Sequence, residues 1–304
     1  MIRIQETARE ALMTDPRATP FQRVVVGIDF SPASLAGCRW ALTYVAPGVD
    51  VLFSHVVPFE ESSGEQPDVM KEPSPVGSLR HMAPTLRGGL GGFAATLDVA
   101  SARTAVRVGR PSYWLDLLAA DFDASLVVVG RRQDAKRKRI GEACVVERLA
   151  RRTRRPVLVV PEGVVDAPRC VIAAIDEGLS AADVLAAGTA LATACRVPLI
   201  ALHVLSPASG AYDRIVGGRG RTAATPVCNS PADTGGGLTL AVGDAAREIV
   251  TAGILRGGGV LVVGKRGADD SPVGSLGAVA RELLATSPHT VLAIDVPRRS
   301  GGSG

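Results

Sequence analysis

The residues best placed for chemistry are three glycines, Gly264, Gly267 and Gly277, set between two apolar segments. The run Val260 to Val263 stops at Gly264. From Leu276 to Leu284 apolar residues recur at helical spacing, with Arg281 and Glu282 on the other side. A second apolar run, Val291 to Ile294, follows a break at Ser287 and Pro288. Strand, glycine loop, amphipathic helix and strand make a βαβ unit. Without Cβ atoms such a loop lets a ligand approach the backbone, and the helix start adds unpaired N–H groups and a positive dipole end. That combination suits a phosphate. Lys265 and Arg266 within the loop, and Ala278 and Val279 after it, are counted with the candidate contacts. With 34 glycines in 304 residues the spacing can also arise by chance, so its weight depends on the rest of the chain.

Other chemistries find little support. The five cysteines (Cys38, Cys144, Cys170, Cys195, Cys228) form no Cys-x-x-Cys pair. Their odd number argues against a disulfide framework or zinc ribbon and for a reducing cytoplasm. The four histidines are scattered and suggest no metal cluster. No Walker lysine, paired acidic metal motif or nucleophile–base set points to a dedicated enzyme, which leaves at most slow hydrolysis of a bound phosphate ligand. A net charge of +4 is slight for this length. The basic run from Arg131 to Arg139 reads as a solvated loop, and the lack of interleaved aromatic residues argues against nucleic acid. No apolar run approaches the length of a membrane span, and the N-terminus lacks the apolar core of a signal peptide.

The elements that must position the loop follow from periodicity. Residues 1–20 read as an arm and 298–304 as a flexible tail. An apolar strand, Val24 to Ile28, ends in Asp29, and Ser31-Pro32 opens a helix running to about Val45. Further strands are expected at 51–57, 97–108, 126–129 and 156–160, with helices at 112–120 and 141–152. Between 60 and 92 only a loop and a weak helix near 79–90 are legible. After a hinge at 161–168 the order restarts, with strands at 171–175, 198–205, 238–242 and 260–263 and a last one at 291–294. Helices are expected at 180–195 and from Gly243 to about Leu255, and 206–237 reads as a glycine-rich loop. Apolar strands alternating with helices argue for parallel sheets covered on both faces.

The second half repeats the punctuation of the first. Asp29 and Asp176 close equivalent strands 147 residues apart, and His55-Val56 answers His203-Val204. Gly109 and Gly243 lie 134 residues apart, as do Gly130 and Gly264. A constant offset over the last third, with one deletion in the middle loop, indicates an internal duplication. The first half keeps the spacing without the glycines: Gln133, Ala143 and Cys144 stand where the second half has Gly267, Gly277 and Ala278. Its site reads as degenerate, and Cys144 as an inert thiol. Asp29 and Asp176 could anchor a turn, cap a helix or border a ligand. His55 and His203 read as packing or loop-anchoring groups.

The Gly-x2-Gly-x9-Gly loop, the Gly27-Ile-Asp-Phe-Ser31 start and the Pro156-to-Val160 finish resemble the universal stress protein family over 21–161 and 168–297, as a tandem pair. The resemblance implies two Rossmann-like α/β domains, each a five-stranded parallel sheet of order 3-2-1-4-5 flanked by helices. It also implies that the last strands pair, making a homodimer or a pseudo-dimer within one chain. Some members bind ATP, with or without Mg2+, and others do not. Carried onto this sequence, Asp176 would border the adenosine, Val204 would offer backbone to adenine, and Gly264, Gly267, Gly277 and Ala278 would approach ribose and phosphates. Asp29, Val56 and Gly130 hold the matching places in the first half. The family normally has Ser or Thr where this chain has Ala278, a lost hydrogen bond worth roughly 0.5–1.5 kcal/mol. The expectation is a stress-response regulator binding ATP mainly in its second domain. The alternative is a signalling scaffold that binds no nucleotide and works through a protein partner.

Overall fold

The computed structural model of the chain describes residues 21–58, 76–132, 144–176, 181–206, 238–266 and 275–295. Gly267, Gln133, Ala143, the loop 207–237 and the basic residues beyond Arg132 lie outside the described residues.

The first half runs β1 (Arg23–Gly27), α1 (Pro32–Tyr44), β2 (Asp50–Val57), α2 (Val76–Ala94), β3 (Ser101–Val108), α3 (Pro111–Asp121), β4 (Leu126–Arg131), α4 (Val145–Arg152) and β5 (Val157–Pro161). The second runs β6 (Val171–Ile175), α5 (Ala181–Cys195), β7 (Leu199–Leu205), β8 (Leu238–Val242), α6 (Ala245–Leu255), β9 (Val260–Gly264), α7 (Ala278–Thr286) and β10 (Thr290–Ile294). All ten strands form one sheet, in the order β3-β2-β1-β4-β5-β10-β9-β6-β7-β8. Read from its own first strand, each half is a 3-2-1-4-5 parallel sheet.

The halves meet where β5 and β10 pair antiparallel, with Val159 opposite Val291, Leu158 opposite Leu292 and Val157 opposite Ala293. Both strands are buried along their whole length. Edge strands this apolar need cover, and each covers the other. The pseudo-dimer is therefore made within one chain. Because this junction is antiparallel, the carboxyl ends of the strands in one half lie at the opposite end of the sheet from those in the other.

Strand alternation builds two cores. Val24 and Val26 of β1 face the layer of α1, α2 and α5, while Val25 faces the layer of α3, α4, α6 and α7. At the start of α1, the Ser31 hydroxyl accepts from the Ser34 N–H at 3.2 Å and Pro32 occupies the first turn.

Two boundaries differ from expectation. The helix looked for weakly at 79–90 is a full α2, Val76–Ala94, despite Pro84 and four glycines in its second half. Tertiary packing overrides that poor propensity: Leu90 is fully buried and Phe93 meets Phe53 edge-on at 6.2 Å. The strand looked for from residue 97 begins only at Ser101, where pairing with Asp50 of β2 starts. Leu97 and Val99 pack on the core as non-strand residues, which accounts for their apolar character.

Candidate functional site

In the second half the candidate residues gather at the carboxyl ends of β6, β7 and β9. Ile175 closes β6 opposite His203, and His203 Nδ1 lies 2.9 Å from the Ile175 carbonyl, tying the two strand ends together. Asp176 follows directly and is partly exposed. One residue beyond His203, Val204 pairs with Ala241 of β8. The Gly243 N–H takes the Leu205 carbonyl on the β8 side at 3.0 Å. Alternation then turns the N–H and C=O of Val204 the other way, past the last paired residue of β6. Gly264 ends β9 opposite Ile294. The Gly277 N–H donates to the Lys265 carbonyl at 2.8 Å, so the start of α7 is held beside the end of β9.

Gly277 is the N-cap of α7 and makes no side-chain cap. Its φ of −59° and ψ of 152° are open to any residue, so its glycine is not required by the backbone. The first intrahelical bond is Arg281 N–H to the Gly277 carbonyl, which leaves the N–H groups of Ala278, Val279 and Ala280 without helical acceptors. By contrast the start of α6 is capped by the Asp244 carboxylate, 2.9 Å from the Arg247 nitrogen. A helix start with a glycine as N-cap, next to a glycine-ended strand, is a geometry suited to an anion.

The Lys265 and Arg266 side chains have other partners. The Lys265 ammonium donates to the carbonyls of Thr153 and Arg155 in the first half, each at 2.7 Å. The residue is 3% exposed. Burial lowers its pKa to about 8; the carboxylates of Asp295 and Asp116 oppose the shift and Arg266 adds to it. Arg266 pairs with Asp295. Any contribution of these two residues to a ligand therefore comes from the backbone, not from their charges.

The first half uses the equivalent positions differently. Asp29 accepts from the backbone N–H of Ser31 at 2.9 Å and from its hydroxyl, forming a turn that precedes α1. Burial acts to raise the Asp29 pKa, but hydrogen bonds from Ser31 and Ser34 and the charge of Arg132 outweigh it and leave the carboxyl below its usual value. Arg132 pairs with it at 3.3 Å. His55 Nδ1 lies 2.7 Å from the Ile28 carbonyl, the counterpart of the His203 contact. Phe30 adopts a positive φ of 59° and packs its ring on His55, with centroids 5.0 Å apart. Val56 is buried nearby. Gly130 serves packing: a Cβ there would lie 2.4 Å from the Ala33 carbonyl oxygen, because α1 crosses β4 at that point. Turn, ring and helix thus occupy the ground around Asp29, Val56 and Gly130. Cys144 is the N-cap of α4, again with no side-chain cap.

The shared role of two residues was missed by sequence reasoning, which took Lys265 as a ligand contact and Arg131 as part of a solvated loop. Arg131, immediately after Gly130, donates to the carbonyls of Ala285, at 2.9 Å, and Ser287 at the end of α7. Lys265, immediately after Gly264, does the same to Thr153 and Arg155 at the end of α4. The cation repeated after each strand-ending glycine was the available signal.

Taken together, the structure is a pseudo-twofold α/β protein with strand-end sites at both ends of a continuous sheet. Residues 20–161 match the universal stress protein family. No curated protein matches the chain. Among solved structures, a universal stress protein from Archaeoglobus fulgidus DSM 4304 is 16% identical with a TM-score of 0.61, over 90% of this chain and 98% of that one. A universal stress protein described as putative in its source, from Pseudomonas aeruginosa UCBPP-PA14, is 16% identical with a TM-score of 0.54, over 91% and 94%. At these identities the likeness is one of fold, and it extends across both halves.

Proposed function

We propose that the second half is a universal stress protein domain in its own right, spanning 168–297 beside a first domain at 21–161. We further propose that it binds ATP as a regulatory ligand in the stress response. The observation that carries this is the start of α7 with a glycine as its N-cap, fastened by Gly277 to Lys265 beside the end of β9. The N–H groups of Ala278, Val279 and Ala280 would take phosphate oxygens, drawn by the helix dipole. Val204 would present its outward-turned backbone to adenine, and Asp176 would border the ribose. Gly264 and Gly267 would admit the backbone approach, and any Mg2+ would ride on the phosphates. The site would hold the nucleotide, with at most slow hydrolysis.

The first half, in this reading, binds no nucleotide: Phe30, His55 and the Asp29–Arg132 pair supply its strand ends with protein contacts instead. It would contribute the pseudo-dimer partner. Four free cysteines among the described residues fit a cytoplasmic setting. No described helix is long and apolar enough to cross a membrane. Calorimetric titration with Mg-ATP tests the reading, with Gly277→Val as the variant. Heat for one site per chain that the variant abolishes supports it, and no heat with the wild type refutes it.

A further inference from the structure

Lys265 holds three things at once. Its N–H donates to the Ile294 carbonyl at 2.8 Å, fixing it to the end of β10. Its carbonyl accepts from the Gly277 N–H, fixing the start of α7. Its ammonium reaches out of the second half to the Thr153 and Arg155 carbonyls just past α4. A cation at the end of a helix complements the dipole there, so this last contact is favourable as well as specific. A Lys–carbonyl contact 97% shielded from water is also stiff, because two of the ammonium's donors have carbonyl acceptors and little solvent can replace them.

We propose that Lys265 is a positioning residue that couples the nucleotide site of the second half to helix α4 of the first. This rests on the nucleotide reading above. An anion on the N–H groups of Ala278 and Val279 bears on Gly277, the next residue. Gly277 is hydrogen-bonded to Lys265, and any adjustment of Lys265 is felt at the carbonyls of Thr153 and Arg155. Linkage then requires the converse: the grip on α4 favours the α7 position that binds the anion. Arg131 makes the reverse contact, but to the carboxyl end of α7, so it anchors that helix without touching the anion end. Of the two clasps, only that of Lys265 bears on the anion end of α7.

The test is amide hydrogen exchange of residues 145–155 with and without saturating Mg-ATP, in the wild type and in Lys265→Met, with binding measured alongside by calorimetry. Saturation removes any difference in affinity from the comparison. The expected result is slowing of α4 exchange by about fivefold on ATP binding, lost in Lys265→Met and retained in Arg131→Met. Lys265→Gln, whose amide NH2 sits on a shorter stem and carries no charge, replaces the methionine variant if that one does not fold. ATP binding to the wild type without a change in α4 overturns the coupling and leaves the nucleotide site standing. An undiminished response in the Lys265 variant also overturns it. Absence of ATP binding overturns both.

Discussion

Lys265 and Arg131 stand in equivalent places, directly after Gly264 of β9 and Gly130 of β4, and each grips two carbonyls at the end of a helix in the other half. One acceptor of each pair is equivalent too, since Thr153 and Ser287 both follow the last turn of the helix before the final strand. The junction between halves thus includes one antiparallel strand pair and the packing of α4 on α7, flanked by two cationic clasps. The clasps differ in cost. The planar guanidinium is suited to spanning two carbonyls, whereas the lysine is a buried point charge.

That cost gives a pH dependence. Lys265 titrates near 8 when folded and near 10.5 when exposed. Between those values the unfolded chain binds more protons, so the contribution of Lys265 to stability rises with pH. Burying its charge costs on the order of 3 kcal/mol at neutral pH. Urea denaturation of the wild type and Lys265→Met at pH 7 and pH 9 should show the difference moving in favour of the wild type by about 1 kcal/mol. A pH-independent difference would mean the amine titrates normally.

Ala278 is the departure from the family pattern and can be reversed. Ala278→Ser adds a hydroxyl at the first helical position of α7, where an anion would sit. It should tighten ATP binding by up to about tenfold, as one added hydrogen bond permits. Titration of both proteins checks this. Unchanged affinity would place the phosphates elsewhere.

Much of this arrangement was legible in the sequence. Apolar runs placed the ten strands of the described residues, and the constant offset between Gly109/Gly243 and Gly130/Gly264 pointed to a duplication. His55 and His203 were read as loop anchors, and both lie against a strand-end carbonyl. What stayed hidden depends on distance along the chain. The acceptor of Lys265 is 112 residues away and that of Arg131 is 154 away. No local pattern encodes a carbonyl that arrives from the other half. Helix α2 was obscured for a related reason: Pro84 and its glycines argue against a helix locally, and only contact with Phe53 and the rest of the core argues for it.

Gly130 should be intolerant of a side chain for packing reasons. In Gly130→Ala the new Cβ would lie 2.4 Å from the Ala33 oxygen and 2.6 Å from the Ser34 Cα, both backbone atoms that can move only with α1. Urea denaturation should show a loss of about 3 kcal/mol. A neutral outcome would mean α1 shifts freely over β4.

Thr290 is 1% exposed at the start of β10, and its hydroxyl has no partner. Replacing an unsatisfied buried hydroxyl by a methyl of similar shape removes a desolvation cost. Thr290→Val should therefore raise the urea midpoint, by about 1 kcal/mol in stability. A fall would show that the hydroxyl is hydrogen-bonded in solution.

The most direct test of the account is the stoichiometry of Mg-ATP binding by calorimetry. The account predicts one site per chain, in the second half, lost in Gly277→Val and unaffected by Phe30→Ala in the first. Two sites, or no binding at about 1 mM nucleotide, would contradict it.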